Sequence, residues 1–223
     1  MPREILVATS MLSADFTRLG EEAKALVDAG TDWLHWDCMD GHFTVPLTHG
    51  PLVLKAIRPL TDLYFDAHLM VSNPERQIPL FAEAGADGIA IHIEATDDPA
   101  GLLRHIRDLG RKSCLTVNPP TPLADVERLL DLCDVVMIMG VNPGYAGQQY
   151  GQATNRRIAQ VREAIDRRGL PTLIEVDGGV HEETARGAIA ASADVIDSAS
   201  YVFKHPQGDA AAIKRLREIA AYL

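Results

Sequence analysis

The chain has 223 residues, of which 47% are hydrophobic, and its 31 acidic side chains outnumber 21 Lys and Arg to give a formal net charge of −10. This length suffices for one large domain whose core needs no disulfide or metal to hold it together. The acidic balance argues against nucleic acid and anionic membrane surfaces as partners, so an anionic small substrate would need a local positive potential.

The cysteines and the apolar runs indicate the compartment. Cys38, Cys114 and Cys133 are scattered through apolar stretches without a C-x-x-C pair, which is typical of buried thiols in a reducing compartment. The N-terminal segment lacks the long apolar core of a signal peptide, and no apolar run approaches the ~20 residues of a membrane span. We therefore expect a cytoplasmic protein.

Short apolar, β-branched runs alternate with amphipathic stretches along the whole chain. Helical spacing of apolar residues is clearest at 15–30, 122–133 and 155–169. Eight strands that alternate with helices predict an α/β protein with parallel strands. The length favours a single (β/α)₈ TIM barrel over residues 1–223 rather than an open doubly wound sheet. The predicted strands cover residues 5–11, 33–39, 63–70, 87–93, 112–118, 134–139, 172–177 and 194–200.

Polar side chains stand at the ends of three predicted strands, and the carboxyl ends of barrel strands form the face that carries chemistry. Residues two apart on a strand share a face, so His35 and Asp37 project together, and His68 and Asp177 end two further strands. Two imidazoles and two carboxylates suit a tetrahedral divalent metal, zinc best, with manganese, iron or cobalt also fitting. Each residue alone is more often hydrogen-bonded or a helix cap, and the joint placement favours the metal site.

Methionines and glycines flank the same strand ends. Spacing alone leaves two roles equally open for Met39, Met70 and Met139. They could fill the core, or they could line a pocket and exclude water from it. The glycine-rich segment 142–148 is long enough to close over a ligand and to approach a phosphate, unless it is an ordinary flexible loop. Gly178 and Gly179 predict N–H groups at a helix start that suit an anion, or otherwise a simple turn.

Seven segments, in order across nearly the whole chain, closely resemble the ribulose-phosphate 3-epimerase family in residue type and spacing. They are SMLSADF (10–16), HWDCMDGHF (35–43), DAHLMV (66–71), AGADGIAIHIEA (84–95), NPPTP (118–122), VNPGYAGQ (141–148) and EVDGGV (175–180).

The resemblance implies a ribulose-phosphate-binding (β/α)₈ barrel that interconverts D-ribulose 5-phosphate and D-xylulose 5-phosphate in the pentose phosphate pathway. It implies that His35, Asp37, His68 and Asp177 hold one divalent metal ion, that Asp37 and Asp177 are also the two acid–base groups, and that no organic cofactor is needed. It further implies a homo-oligomer. The implied substrate-binding residues are Ser10, Met39, His68, Met70, Met139, Gly144, Tyr145, Ala146, Gly147, Gly178, Gly179, Ala199 and Ser200.

Three segments depart from the family pattern. Ala199-Ser200 replaces a Gly-Ser pair that grips the phosphate, and beside it Asp197 replaces an apolar residue. An Asp197 facing the ligand would repel a phosphate, whereas one facing the helices needs a buried partner. Thr44-Val45-Pro46 replaces V-P-N, with His49 at a position where an aromatic residue is common. Thr9 replaces a proline, a change that we expect to matter little.

Three further functions stay open beside the pentulose phosphate epimerase. A related 3-epimerase could act on another ketose phosphate, such as allulose 6-phosphate, or on an unphosphorylated ketose. A non-catalytic sugar-phosphate-binding barrel is the second alternative, and the four acid and metal residues argue against it. An aldolase or decarboxylase is the third. Such barrels usually use a lysine at a strand end, and Lys112 is at the wrong end of its strand. His92 and Glu94 are structural candidates, or candidates for supporting the metal ligands.

Overall fold

The computed structural model of the protein describes residues 5–145 and 148–222. Within them, eight parallel strands pair in chain order, and the last strand pairs with the first through Ala8 and Asp197. This pairing closes the sheet, so the predicted (β/α)₈ barrel is confirmed and the open sheet is excluded. The strands are β1 (Leu6–Ser10), β2 (Trp33–Met39), β3 (Tyr64–Met70), β4 (Gly88–His92), β5 (Lys112–Val117), β6 (Val135–Met139), β7 (Leu173–Asp177) and β8 (Val195–Asp197).

Helices follow the strands and cover the outside of the barrel. Gly30, Gly85 and Gly169 end three of them at φ values of 86°, 101° and 64°, a region that glycine adopts without the steric cost of a Cβ atom. Among the helices of the described residues, none has the length and apolarity that a membrane crossing needs. The helices are α1 (Leu19–Ala29), α2 (Pro51–Ile57), α3 (Pro74–Ala84), α4 (Pro99–Asp108), α5 (Ala124–Leu129), α6 (Thr154–Arg168), α7 (Glu182–Ala190), α8 (Ser200–Phe203) and α9 (Asp209–Ala220).

Alternation along each strand sorts side chains between the helix layer and the barrel interior. On β2, Leu34 and Trp36 point outward into the large apolar cluster under the helices. Trp33 points inward with a smaller apolar set that includes Met137 and Val195. Because residues two apart share a face, His35 and Asp37 also enter the interior, above this apolar floor. The predicted buried thiols are confirmed, since all three cysteines are buried and free.

Strand β8 is shorter than the sequence predicts, and it ends at Asp197 rather than at residue 200. The Ser198 hydroxyl donates to the carbonyl oxygen of Val180, 2.9 Å away, and its backbone N–H still reaches Ala8. Ser200 already begins α8, with Ala199 directly before it. Ala199 and Ser200 therefore lie in the turn at the barrel mouth and not on the strand.

Gly140 sets how closely the ends of β6 and β7 approach each other. Its N–H donates to the carbonyl oxygen of Asp177 at 2.6 Å, and its own carbonyl oxygen accepts from Gly151 at 2.7 Å. A methyl group at position 140 would lie against the carbonyl oxygen of Gly178 and 3.0 Å from the Tyr150 ring. The close approach of the backbone after β6 to the backbone after β7 therefore requires glycine at position 140.

We expect Gly140→Ala to lower the free energy of unfolding by about 1–3 kcal/mol, because the added methyl must displace backbone and not a flexible side chain. Urea denaturation followed by circular dichroism measures the change. Gly50→Ala is the matched control, since a methyl there meets nothing within 4 Å. Its cost should stay below about 1 kcal/mol, and equal losses in the two variants would contradict the steric argument.

Candidate active site

Four predicted metal ligands converge at the carboxyl ends of the strands. His35 and Asp37 come from β2, His68 from β3 and Asp177 from β7, and one ligand atom of each lies within 4.8 Å of the other three. His68 Nδ1 is 3.3 Å from Asp37 Oδ1 and 3.6 Å from Asp177 Oδ2. Two imidazole nitrogens and two carboxylate oxygens at this spacing fit a divalent cation.

The outer nitrogen of His35 is held by acidic residues that the sequence analysis did not single out. Its Nδ1 lies 2.8 Å from Asp66 Oδ2 and 3.5 Å from Glu175 Oε1. Burial would lower the pKa of His35, but the charges of Asp197 and Asp37 outweigh it and raise that pKa well above its ordinary value. Nδ1–H donates to Asp66, and Nε2, which lies 3.5 Å from Asp37 Oδ1, is the nitrogen at which a bound ion would take the place of the proton. Asp66 could have been found from its spacing, because it precedes His68 by two residues on the same face of β3.

His68 is oriented through a second histidine. Its Nε2 lies 2.8 Å from Nε2 of His92, whose Nδ1 is 3.3 Å from Glu94 Oε2. Burial lowers the pKa of His92 to about 4, so this ring is neutral near pH 7. With Nδ1–H of His92 donating to Glu94, its Nε2 accepts from His68, and Nδ1 of His68 is left with a lone pair. His92 and Glu94 thus support a ligand.

The two aspartates have unlike environments. Burial alone would raise the pKa of Asp37, but the adjacent His35 and His68 outweigh it and lower that pKa well below its usual value. The hydroxyl of Ser10 also donates to Asp37. Burial and the neighbouring Asp37 charge instead raise the pKa of Asp177. Carboxyl groups whose pKa values are driven apart are suited to act as a base and an acid.

A cleft of about 500 Å³, a volume that includes space open to solvent, lies above this cluster. Met39, Met70 and Met139 are buried and line its walls, so these side chains both fill the upper core and face the cleft. Leu12 and Val141 also line it and were missed by the sequence analysis. Of the predicted substrate-binding residues, Ala146 and Gly147 lie outside the described residues. The others that line the cleft are Ser10, Gly144, Tyr145, Gly178, Gly179, Ala199 and Ser200, whereas His68 is buried with the ligands beneath it.

The glycines after β7 form a turn and do not begin a helix. Gly178 and Gly179 have φ values of 99° and 72°, and α7 begins only at Glu182 with His181 as its N-cap. Of the two alternatives for these residues, the structure has the simple turn and not the helix start. Gly179 instead lets the turn approach Gln148 and Tyr150, whose backbone atoms would be 2.8 Å from a Cβ atom at position 179.

Asp197 faces the interior and lines the cleft, which decides between the two orientations left open by the sequence. Its side chain is buried, and Nε2 of His35 lies 3.8 Å from its Oδ2 atom.

The loop over residues 44–46, which departs from the family pattern, lies at the rim of the barrel. Val45 is exposed there and Thr44 is buried. His49 is buried between the rings of Phe16 and Trp36.

Asp40 ties the loop after β2 to the loop after β3. Its Oδ1 atom accepts from the N–H groups of His42 and Phe43, and Oδ2 accepts from the N–H and hydroxyl of Ser72 at 2.8 Å each. Partial burial opposes the shift, but these donors lower the pKa of Asp40 to about 2. The carboxylate therefore stabilises the folded mouth of the barrel.

The barrel and the cluster at its mouth define a (β/α)₈-barrel enzyme with a two-carboxylate site. The profile of the Ribulose-phosphate 3 epimerase family matches residues 6–203, and the chain belongs to that family. It is 46% identical over 208 residues to ribulose-phosphate 3-epimerase of Synechocystis sp., covering 92% of this chain and 90% of that protein. The enzyme of the same name from Bacillus subtilis is 44% identical over 89% of this chain and 92% of its own. The resemblance stated from seven motifs is confirmed.

Solved structures with much lower identity share the architecture. KGPDC from Streptococcus mutans superposes with a TM-score of 0.74 at 13% identity, covering 98% of each chain. 3-Hexulose-6-phosphate synthase gives a TM-score of 0.70 at 17% identity, covering 96% of this chain and 99% of that one. At these identities the likeness establishes the fold alone.

We expect Asp40→Asn to lower the free energy of unfolding near pH 7 by about 1 kcal/mol, because the charged acceptor of the hydrogen bonds from Ser72 is lost. The folded-state pKa of about 2 lies below the ordinary value of 3.8 for the free group. The contribution of the charged Asp40 carboxylate to the free energy of unfolding is therefore complete above pH 3.8 and is lost as the pH falls through 2. Urea denaturation at about pH 7, 4 and 2.5 should show a difference that shrinks with acidity, and a constant difference would contradict this assignment.

Proposed function

We propose that this protein is a 3-epimerase that interconverts D-ribulose 5-phosphate and D-xylulose 5-phosphate. The observation that carries the proposal is the pair of aspartates, Asp37 and Asp177, whose carboxylates meet at the mouth of one cleft and whose pKa values shift in opposite directions. Membership of the family and the shared name of its relatives support the choice of substrate.

Inversion at C3 requires that a proton leave one face of the carbon and that another arrive on the opposite face. Asp37, the more acidic group, accepts the C3 proton in one direction, and Asp177 delivers a proton from the other side. In the reverse direction the two residues exchange roles. The hydroxyl of Ser10 fixes the carboxylate of Asp37, and the buried methionine side chains keep water away from the carbanion.

The remaining cleft residues would place the substrate. A divalent cation held by His35, Asp37, His68 and Asp177 would stabilise the negative charge that develops on the substrate oxygens. Gly144, Gly178 and Gly179, with Tyr145 and the 199–200 turn, would surround the phosphate end. We expect residues 1–223 to act as one catalytic domain in a cytoplasmic homo-oligomer, without an organic cofactor.

A second candidate, a 3-epimerase for another ketose phosphate or a free ketose, is favoured by one observation. The methyl group of Ala199 and the carboxylate of Asp197 both line the cleft. These groups reduce the room and the positive potential available to a phosphate. Initial rates with D-ribulose 5-phosphate, D-allulose 6-phosphate and their unphosphorylated ketoses separate the candidates. No turnover of the pentulose phosphate beside good turnover of another ketose would overturn the first.

We expect Asp37→Asn and Asp177→Asn each to reduce kcat by about 10²- to 10⁴-fold, because each removes one of the two proton-transfer groups. Turnover and the incorporation of solvent deuterium at C3 measure the effect. Asp28→Asn, an identical change at an exposed position of α1, should retain full activity. Near-normal turnover by either site variant would contradict the two-base assignment.

We expect removal of divalent ions with a chelator to abolish turnover, and re-addition of Zn²⁺, Mn²⁺, Fe²⁺ or Co²⁺ to restore it to differing extents. Metal content is measured by mass spectrometry before and after dialysis, beside the initial rate. Dialysis without chelator serves as the control. Unchanged turnover in protein with no measurable metal would show that the cluster works without an ion.

A further inference from the structure

Asp197 is the most unusual side chain of the barrel interior. It ends β8, directly above the inward-facing Val195, and is 1% exposed. Neither of its carboxylate oxygens has a hydrogen-bond partner within the described residues. Removing a carboxylate from water without a hydrogen bond or a counter-charge is among the most costly events in folding. Its polar neighbours include the carboxyl group of Asp177 and, at 3.8 Å, Nε2 of His35, so a divalent cation beside that nitrogen would be a stronger charge partner than the imidazole.

The neighbours of Asp197 indicate where that partner lies. Its Oδ2 atom is 3.8 Å from Nε2 of His35, which is too long for a hydrogen bond. The same Nε2 atom is 3.5 Å from Asp37 Oδ1 and 3.3 Å from His68 Nδ1. Since Nδ1 of His35 is already engaged by Asp66, Nε2 is the atom that faces an ion. Asp197 thus borders the space enclosed by the four ligands.

A phosphate does not fit this environment. Asp37, Asp177 and Asp197 are all acidic, and a dianionic group next to them would be repelled. A divalent cation has the opposite sign and the preference for oxygen ligands that an additional carboxylate offers. The charge, the burial and the direction of the side chain all favour the cation over an anionic part of the substrate.

We propose that Asp197 is a fifth protein group of the divalent metal centre, whose carboxylate offsets the charge of the ion and strengthens its retention. The inference rests on the proposed function in one respect, that the His35, Asp37, His68 and Asp177 cluster holds a divalent cation. It goes beyond that function by assigning a role to the strand-eight acid. Asp37 and Asp177 keep their acid–base roles under this inference.

Two substitutions test the assignment. Asp197→Asn keeps the size of the side chain and removes its charge, and Asp197→Val replaces it with the residue type found one layer below at Val195. Affinities for Zn²⁺ and Mn²⁺ are measured by competition with a chromophoric chelator. We expect both variants to bind each ion about 10- to 100-fold more weakly than the wild type, the range that supporting groups of a metal site typically contribute. Asp62→Asn, the same change at an exposed position, should leave both affinities within threefold.

Thermal unfolding with and without ion separates this role from a structural one. Without ion, the Asp197 variants should melt at or above the temperature of the wild type, because they no longer bury a carboxyl group whose oxygens lack a hydrogen-bond donor. With saturating Zn²⁺, the wild type should gain more in melting temperature than either variant. A residue that merely packs the core would lower both melting temperatures when replaced.

Equal affinities in the wild type and both variants would overturn the inference, and a raised KM with unchanged ion affinity would instead place Asp197 against the substrate. Epimerase turnover of the wild type is measured in parallel. No turnover together with an Asp197-dependent affinity would contradict the proposed function and support this inference. Turnover together with an ion affinity that does not depend on Asp197 would support the proposed function and contradict this inference. A wild type that binds neither ion would overturn both this inference and the metal site of the proposed function.

Discussion

Four carboxylates approach one imidazole inside the barrel, and the rest of the site depends on how their charge is balanced. Asp66 and Glu175 lie within 3.5 Å of Nδ1 of His35, and Asp37 and Asp197 within 3.8 Å of Nε2. Burial and the charge of Asp66 raise the pKa of Glu175 to about 8, so that group is neutral near pH 7. Burial likewise raises the pKa of Asp197 well above its ordinary value, whereas His35 and His68 lower the pKa of Asp37 against its burial. A cation beside Nε2 of His35 would favour the charged form of both carboxyl groups.

Rigid strands and adaptable turns have separate roles in this site. The ligand cluster stands on β2, β3 and β7, whose backbones are fixed by pairing on both sides. Side chains on such elements hold a geometry more closely than side chains on loops. The surfaces that would contact the sugar and its phosphate come from turns, including 143–145 and 178–180. Substitution in the turns can therefore alter what is bound while the proton-transfer geometry is kept.

Much of this arrangement follows from the period of two along a strand. The spacing of His35 and Asp37 predicts that they share the interior, and the order of the strands predicts that His68 joins them. The support of His68 by His92 was left open, because the register between β3 and β4 depends on backbone pairing that no short pattern encodes. The end of β8 was placed too late, since Ser198 leaves the strand through a hydrogen bond to Val180, a residue 18 positions earlier in the chain. Glu175 was passed over, because a carboxyl group that is neutral when buried looks in sequence like any other acid.

Hydrogen bonds on the outer side of the two histidine ligands determine how their rings are oriented toward an ion. His35 is engaged at its outer nitrogen by Asp66, and His68 by His92 and Glu94. A ring held at one nitrogen cannot flip without breaking that bond, so the other nitrogen of each ring already points inward before any ion arrives. Capture of an ion then needs no rotamer search in these two side chains. Since Asp197 and Asp37 raise the pKa of His35 against its burial, an incoming ion displaces a proton from that ring. The rate of loading should accordingly be limited by passage through the cleft and by shedding of water from the ion.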